Sequence, residues 1–186
     1  MASRPDNAGE GIPWRAIGWG GAVTLLALPF IAMQFTKDVV WTLSDFAVFG
    51  VMLLMVGIPL ELTVRMSRNW SYRGGALLAL LGMFLTIWAN LAVGIVGSEG
   101  NPANLWFFAA LLVGIGGSAI ARFRANGMAV AMVATAVSIG VAFAIAVMGP
   151  TDEPNVSHWL ELGGTSVFAA LFLGSAGLFR KAARSV

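Results

Sequence analysis

Five polar side chains stand within or at the ends of otherwise apolar stretches, and these could do chemistry: Glu61, Asn90, Glu99, Asn101 and Asn104. A carboxylate in such a setting can carry a proton or balance a cation, and an amide can coordinate an ion or hydrogen-bond a small solute. An ionisable group held inside a membrane is costly enough to mark a candidate functional site. Each residue also has a structural use. Glu61 precedes Arg65 by four residues on one helix face, so it can pair with Arg65, or with Arg122 across the chain. An amide such as Asn90 can join two helices through a hydrogen bond worth about 0.6 kcal/mol. Asn101 followed by Pro102 has the order of a helix cap and a first helical residue, which leaves Glu99 in water. Along the third apolar stretch, Thr86 and Gly94 lie one turn to either side of Asn90.

The elements that must position these groups are six apolar stretches, residues 16–35, 46–64, 74–97, 105–121, 127–148 and 162–179. Each matches or approaches the about 20 helical residues needed to cross a hydrocarbon core. The chain is 58% hydrophobic and 11% charged, against about 25% charged in a soluble domain. The expected fold is therefore all-α: a polytopic membrane bundle of six transmembrane helices. Residues 1–13 form a polar N-terminus, 14–180 a single six-helix domain and 181–186 a tail. The lipid bilayer is its first partner.

Charge placement orients the bundle. Arg4 and Arg15 precede the first stretch, Arg65, Arg68 and Arg73 follow the second, Arg122 and Arg124 the fourth, and Arg180, Lys181 and Arg184 the sixth. Of 11 basic residues only Lys37 falls on the other side, so the positive-inside rule puts both termini in the cytoplasm. The arginines thus need no nucleic-acid partner. Trp41, Trp106 and Trp159 fall at span ends, as an aromatic belt requires, whereas Trp19 and Trp88 fall inside spans as packing or lining residues.

The stretch from Asn90 to Leu105 reads NLAVGIVGSEGNPANL and is the most distinctive in the chain. It resembles a family of small bacterial inner-membrane proteins with an Asn-Leu-Ala-Val-Gly-Ile…Gly-Ser-Glu…Asn-Pro-Ala-Asn-Leu pattern. The resemblance covers the second to the fifth stretch; it implies a bacterial inner-membrane location and no activity. Physically, such a segment suits a capped turn, a re-entrant loop or the wall of an external vestibule.

Other chemistries find no support. With no cysteine there is neither disulfide nor thiolate chemistry. The sole histidine, His158, stands near Asp152, Glu153 and Glu161 in what reads as a solvated outer loop, too few ligands for a zinc site. No lysine lies within a span to hold retinal, one histidine cannot ligate haem from two sides, and no catalytic pair or cofactor motif can be named. No catalytic residue, metal site or cofactor is accordingly expected.

Small residues should set the packing. Gly114, Gly116, Gly117 and Ala121 form one candidate close-contact patch, and Gly163, Gly164, Gly174 and Gly177 another. The fifth stretch, with Ala131, Ala134, Ser138 and Gly140, reads as a central helix. Ser44 or Asp45 should cap the second helix and Ser157 the sixth. Phe108–Gly114 is echoed by Phe168–Gly174, as in three hairpins built on one unit. Two functions compete: a small-solute or ion transporter or channel using the five polar residues, or a non-catalytic accessory or assembly subunit, with a homo-oligomer or a membrane-protein partner expected.

The orientation is testable because the chain has no native cysteine. A cysteine introduced at Gly100 should react with an impermeant thiol reagent in intact cells, and one at Asn69 or Asn126 should be protected. Labelling at Asn126 from outside rejects the topology.

Overall fold

A computed structural model describes residues 14–148 and 158–185. The N-terminal segment 1–13 with Arg4, the acidic pair Asp152 and Glu153, and the expected cap Ser157 lie outside the described residues. Six helices follow in order: α1 Trp14–Phe35, α2 Leu43–Met66, α3 Trp70–Ala92, α4 Leu105–Ile120, α5 Ala125–Met148 and α6 His158–Arg184. A 3₁₀ turn, Pro102–Asn104, leads into α4. There is no strand among the described residues, and all six helices are long and apolar enough to cross a membrane.

Helix ends depart from expectation in informative ways. α2 starts before Ser44, and Thr42 opens it: the Asp45 carboxylate accepts from the Thr42 N–H at 2.6 Å and the Thr42 hydroxyl at 2.7 Å. The Asp45 N–H points back to Thr42 Oγ1 at 3.4 Å, so the two residues cap each other reciprocally. α3 ends at Ala92 rather than at residue 97, because Gly94 (φ +76°) and Gly97 (φ +66°) take the left-handed backbone that glycine adopts without steric cost. Gly94 is therefore not on the helical face shared by Thr86 and Asn90.

By its contacts the chain divides into two compact units, Met1–Glu61 and Leu62–Val186. In the first, the Trp19 ring fills the notch at Gly57, where an added Cβ would stand 3.1 Å from the indole. Trp41 meets Phe46 and Phe49 edge-on, with centroids 5.2 and 5.5 Å apart. No residue of the α1 span is buried in protein. An apolar trough lined by Val23, Leu26, Ala27, Phe30 and Phe46 runs along this unit.

In the second unit α5 packs against α4 and α6, and α6 packs against α3 as well. The central place expected of α5 is thus observed. Its buried positions, among them Met128, Met132, Thr135, Ile139, Ala142 and Ala146, recur every three or four residues and line one face. Gly114 admits Thr135, and Gly117 admits Ala131, at the α4–α5 contact. The α3–α6 contact departs from expectation in part: of the expected patch only Gly174 meets α3, where an added Cβ would stand 3.3 Å from Leu78. Gly163, Gly164 and Gly177 face open space; the notches are Gly75 and Gly82 on α3, filled by Phe179 and Phe172 of α6. Ser175 Oγ donates to Gly75 O at 2.7 Å at the same contact.

Tyr72 and Asn69 tie together the end that carries the arginines. The Tyr72 hydroxyl donates to Phe123 O at 2.7 Å, the Tyr72 ring meets Phe179 edge-on at 5.0 Å, and Asn69 Nδ2 donates to Ser185 Oγ at 2.8 Å. Arg73 donates to Ser67 O and Val64 O at 2.6 and 2.7 Å. The α4–α5 turn holds Arg122 and Phe123 at φ 50° and 56°, a strained pair that closes without glycine.

A Cβ at Gly114 would lie 2.5 Å from Thr135 Oγ1, whereas Gly116 has nothing within 4 Å. Gly114→Val should lower stability by about 1–3 kcal/mol through overpacking, and Gly116→Ala should not lower it. Unfolding of the purified protein in detergent checks both, and a neutral Gly114→Val would refute this packing.

Candidate functional site

Polar groups gather at the end of the second unit opposite the arginines, where α3 finishes, the 93–104 segment turns and α6 begins. Asn104 is the hub of the turn and only 4% exposed. Its Oδ1 accepts from the N–H groups of Ile95 and Val96 at 3.1 and 3.0 Å, and its Nδ2 donates to Val96 O and Ser98 O at 3.2 and 2.8 Å. One side chain therefore satisfies four backbone groups that water could not reach in an apolar medium. The reward is packing: Val96 is fully buried and Ile95 nearly so, both in the core with Phe107. This is a folded plug of side chains and neither a bare turn nor a helical extension.

Glu161 fastens the plug to α6. It lies in the first turn of α6 with its side chain 12% exposed, so it is not the solvated loop residue expected. Oε1 accepts from the Gly97 N–H at 2.6 Å, and Oε2 meets His158 Nδ1 at 3.0 Å. Among the described residues no group of three acidic or histidine side chains could hold a metal ion.

Below the plug, Asn90 of α3 and Thr165 of α6 are both more than nine-tenths buried. Asn90 Nδ2 donates to Thr86 O at 3.2 Å, which ties the amide to its own helix. Asn90 Oδ1 and Thr165 Oγ1 are the buried side-chain atoms without a hydrogen-bond partner among the described residues. Packing registers the two helices: Phe179 sits in Gly75 and Phe172 in Gly82. Thr165 lies seven residues before Phe172 on the same face of α6, the face that meets α3.

The expected site residues thus separate. Asn90 and Asn104 belong to this end of the bundle. Asn101 caps the 3₁₀ turn by accepting from the Ala103 N–H at 2.9 Å, rather than capping α4 itself. Glu99 is exposed on the loop. Glu61 belongs to the first unit, where Arg15 Nη2 reaches its Oε1 at 2.6 Å and Trp19 Nε1 donates to its Oε2 at 2.8 Å. Those α1 partners were not anticipated. Thr165 and Glu161 were missed as site residues, although their signal was present: positions 161, 165, 172 and 179 share one helix face.

Compared with protein-family models, curated proteins and solved structures, the chain matches none. Its functional reading therefore rests on its own residues.

Asn104→Leu should cost about 1–3 kcal/mol, the penalty for leaving buried backbone groups unpaired. Hydrogen exchange at the Ile95 and Val96 amides should accelerate while helix amides in α5 keep their protection. Unchanged exchange at those two amides would show that Asn104 does not hold the turn.

Proposed function

We propose that this chain is a multi-pass protein of the bacterial inner membrane that passes a small solute or ion, which it binds at the end of the α3–α6 pair beneath the 93–104 plug. The observation that carries this reading is the pair of buried, unpartnered oxygens, Asn90 Oδ1 and Thr165 Oγ1. Leaving such an atom without a partner costs about 1–3 kcal/mol, so two of them on the paired helices α3 and α6 favour a polar occupant. Glycine-bounded, non-helical backbone beside them is the setting in which membrane transporters hold their substrates. Glu61 has its own partners in Arg15 and Trp19 and serves here as an anchor between α1 and α2.

A second reading, an accessory or assembly subunit that pairs with another membrane protein or with its own copy, is favoured by α1. Its span buries no residue, and the trough along Val23, Leu26, Ala27, Phe30 and Phe46 would receive a partner helix.

Reconstituted into liposomes, the protein should conduct a panel of small ions or polar solutes above the protein-free rate. Asn90→Leu should reduce that flux at least tenfold, and Glu61→Gln should leave it intact. Flux indifferent to Asn90→Leu, or no flux with a stoichiometric partner after gentle extraction, would turn the assignment to the second reading.

A further inference from the structure

We infer that the arginine-lined end of the second unit is a docking surface for anionic phospholipid headgroups, centred on the first turn of α3. Two hydrogen bonds gather its charges there. Asn69, the N-cap of α3, donates from Nδ2 to Ser185 Oγ, next to Arg184. Tyr72, three residues on, donates to Phe123 O, between Arg122 and Arg124. The α2–α3 connection, the α4–α5 turn and the end of α6 are thus pinned to one turn of one helix. Around it Arg68, Arg122, Arg124, Arg180, Lys181 and Arg184 are all exposed. The described carboxylates of the second unit, Glu99 and Glu161, both lie at the opposite end. The six cations therefore stand together with no negative charge of their own unit among the described residues, and such a field attracts anions. Arg73 is left out of the set. It donates to Ser67 O and Val64 O and lies 5.2 Å over the Trp70 ring, so it clamps the α2–α3 connection itself.

What lies between the charges identifies the occupant. Ile120 is 86% exposed, Phe123 60% and Trp70 76%, each within two residues of an exposed arginine. The membrane-length helices α4 and α5 end and begin on either side of Arg122–Arg124, which places this turn at headgroup depth. A soluble anion or a nucleic acid would use the guanidinium groups and leave the apolar ones in water. An anionic lipid meets both, with its phosphate on the arginines and its acyl chains on Ile120 and Phe123. Arginine also matches phosphate through a planar fork of donors. Clusters of about four to eight basic residues beside a membrane-crossing helix are the pattern that recruits anionic lipid.

The backbone of the α4–α5 turn points the same way. Phe123 N–H donates to Ser118 O at 3.1 Å and Arg122 N–H to Ala119 O at 2.9 Å, a paired cap that glycine usually closes. Here Arg122 takes the left-handed position at φ 50°, and Phe123 follows at φ 56°. The chain holds a guanidinium and a ring at two places where backbone geometry alone asks for glycine. Strain of that kind persists where the side chains are used, and a phosphate with its acyl chains uses both.

The test uses the full chain purified in detergent. Thermal unfolding is followed while phosphatidylglycerol, phosphatidylcholine of the same chains, or inorganic phosphate is titrated in. Phosphatidylglycerol should raise Tm saturably, by roughly 5–10 °C at a hundredfold excess over Kd, and its affinity should fall as salt rises. Phosphatidylcholine and inorganic phosphate should not raise it. Arg122→Gln combined with Arg124→Gln should weaken phosphatidylglycerol binding at least tenfold, because each arginine near a charged surface contributes about fivefold. Lys37→Gln, in the loop between α1 and α2, should leave binding unchanged. Arg122→Gly separates binding from folding. It relieves the left-handed strain, so without lipid it should unfold at or above the wild-type temperature, yet bind phosphatidylglycerol about fivefold more weakly. A response equal for both lipids, one reproduced by inorganic phosphate, or one retained in both arginine variants overturns the lipid surface.

Discussion

The register between α3 and α6 is the constraint on which the rest of the second unit depends. Phe172 and Phe179, seven residues apart, enter notches at Gly82 and Gly75, themselves seven apart. A ring against a bare Cα allows one seating and no sliding, because a shift of one residue would put each ring against a side chain. In lipid this matters more than in water: helices gain nothing from hiding apolar surface from one another, so close fit has to supply the association. With the register set, α6 presents Glu161 to the 93–104 segment at the Gly97 N–H. α5 then fills the groove along α6, and its contact with α4 rests on the same device, Thr135 and Ala131 against Gly114 and Gly117.

A second constraint explains the plug. Backbone that leaves a helix in an apolar setting must find partners within the protein. Two residues do most of this for the segment after α3: Asn104 takes both faces of the turn, and Glu161 takes the Gly97 N–H. Gly94 is irreplaceable on two counts, its left-handed φ and the 2.5 Å that would separate an added Cβ from Ser98 O. The distinctive Asn-Gly pattern is first a solution to hydrogen bonding, and only Asn90, outside that network, has an oxygen left over.

Much of the helical plan was legible because it follows from composition: runs of apolar residues long enough to span, interrupted by arginines and turn formers. The central place of α5 was legible, but its buried face only in part: Ala131 is buried, Ala134 and Ser138 are half-buried, and Gly140 is exposed. Pairing was not. Sequence offered Gly163, Gly164, Gly174 and Gly177 as close-contact positions; only Gly174 meets a neighbour, Leu78, and the rings that fill notches, Phe172 and Phe179, lie on the same helix as those glycines. Likewise the echo between Phe108–Gly114 and Phe168–Gly174 does not carry over into contacts: Gly117 is closed by Ala131, whereas Gly177 is open. The end of α3 was misplaced because residues 93–97 are as apolar as a helix interior; the left-handed backbone at Gly94 and Gly97 ends the helix, and Asn104, seven residues beyond the last of them, holds the turn.

The two units hold their polar groups in different ways. In the first unit Glu61 meets a guanidinium and an indole N–H, with Arg15 70% exposed, so its charge is neutralised where α1 and α2 meet. Trp19 serves twice, packing its ring on Gly57 and capping the carboxylate. A carboxylate with its charge answered and its oxygens occupied has little left to offer a substrate. At the plug end of the second unit there is no arginine or lysine among the described residues; Glu161 is engaged by the Gly97 N–H and His158, while Asn90 Oδ1 and Thr165 Oγ1 have no hydrogen-bond partner. Close packing has left those two atoms without the partners that Asn104 and Glu161 find, and it is on them that the proposed binding role rests.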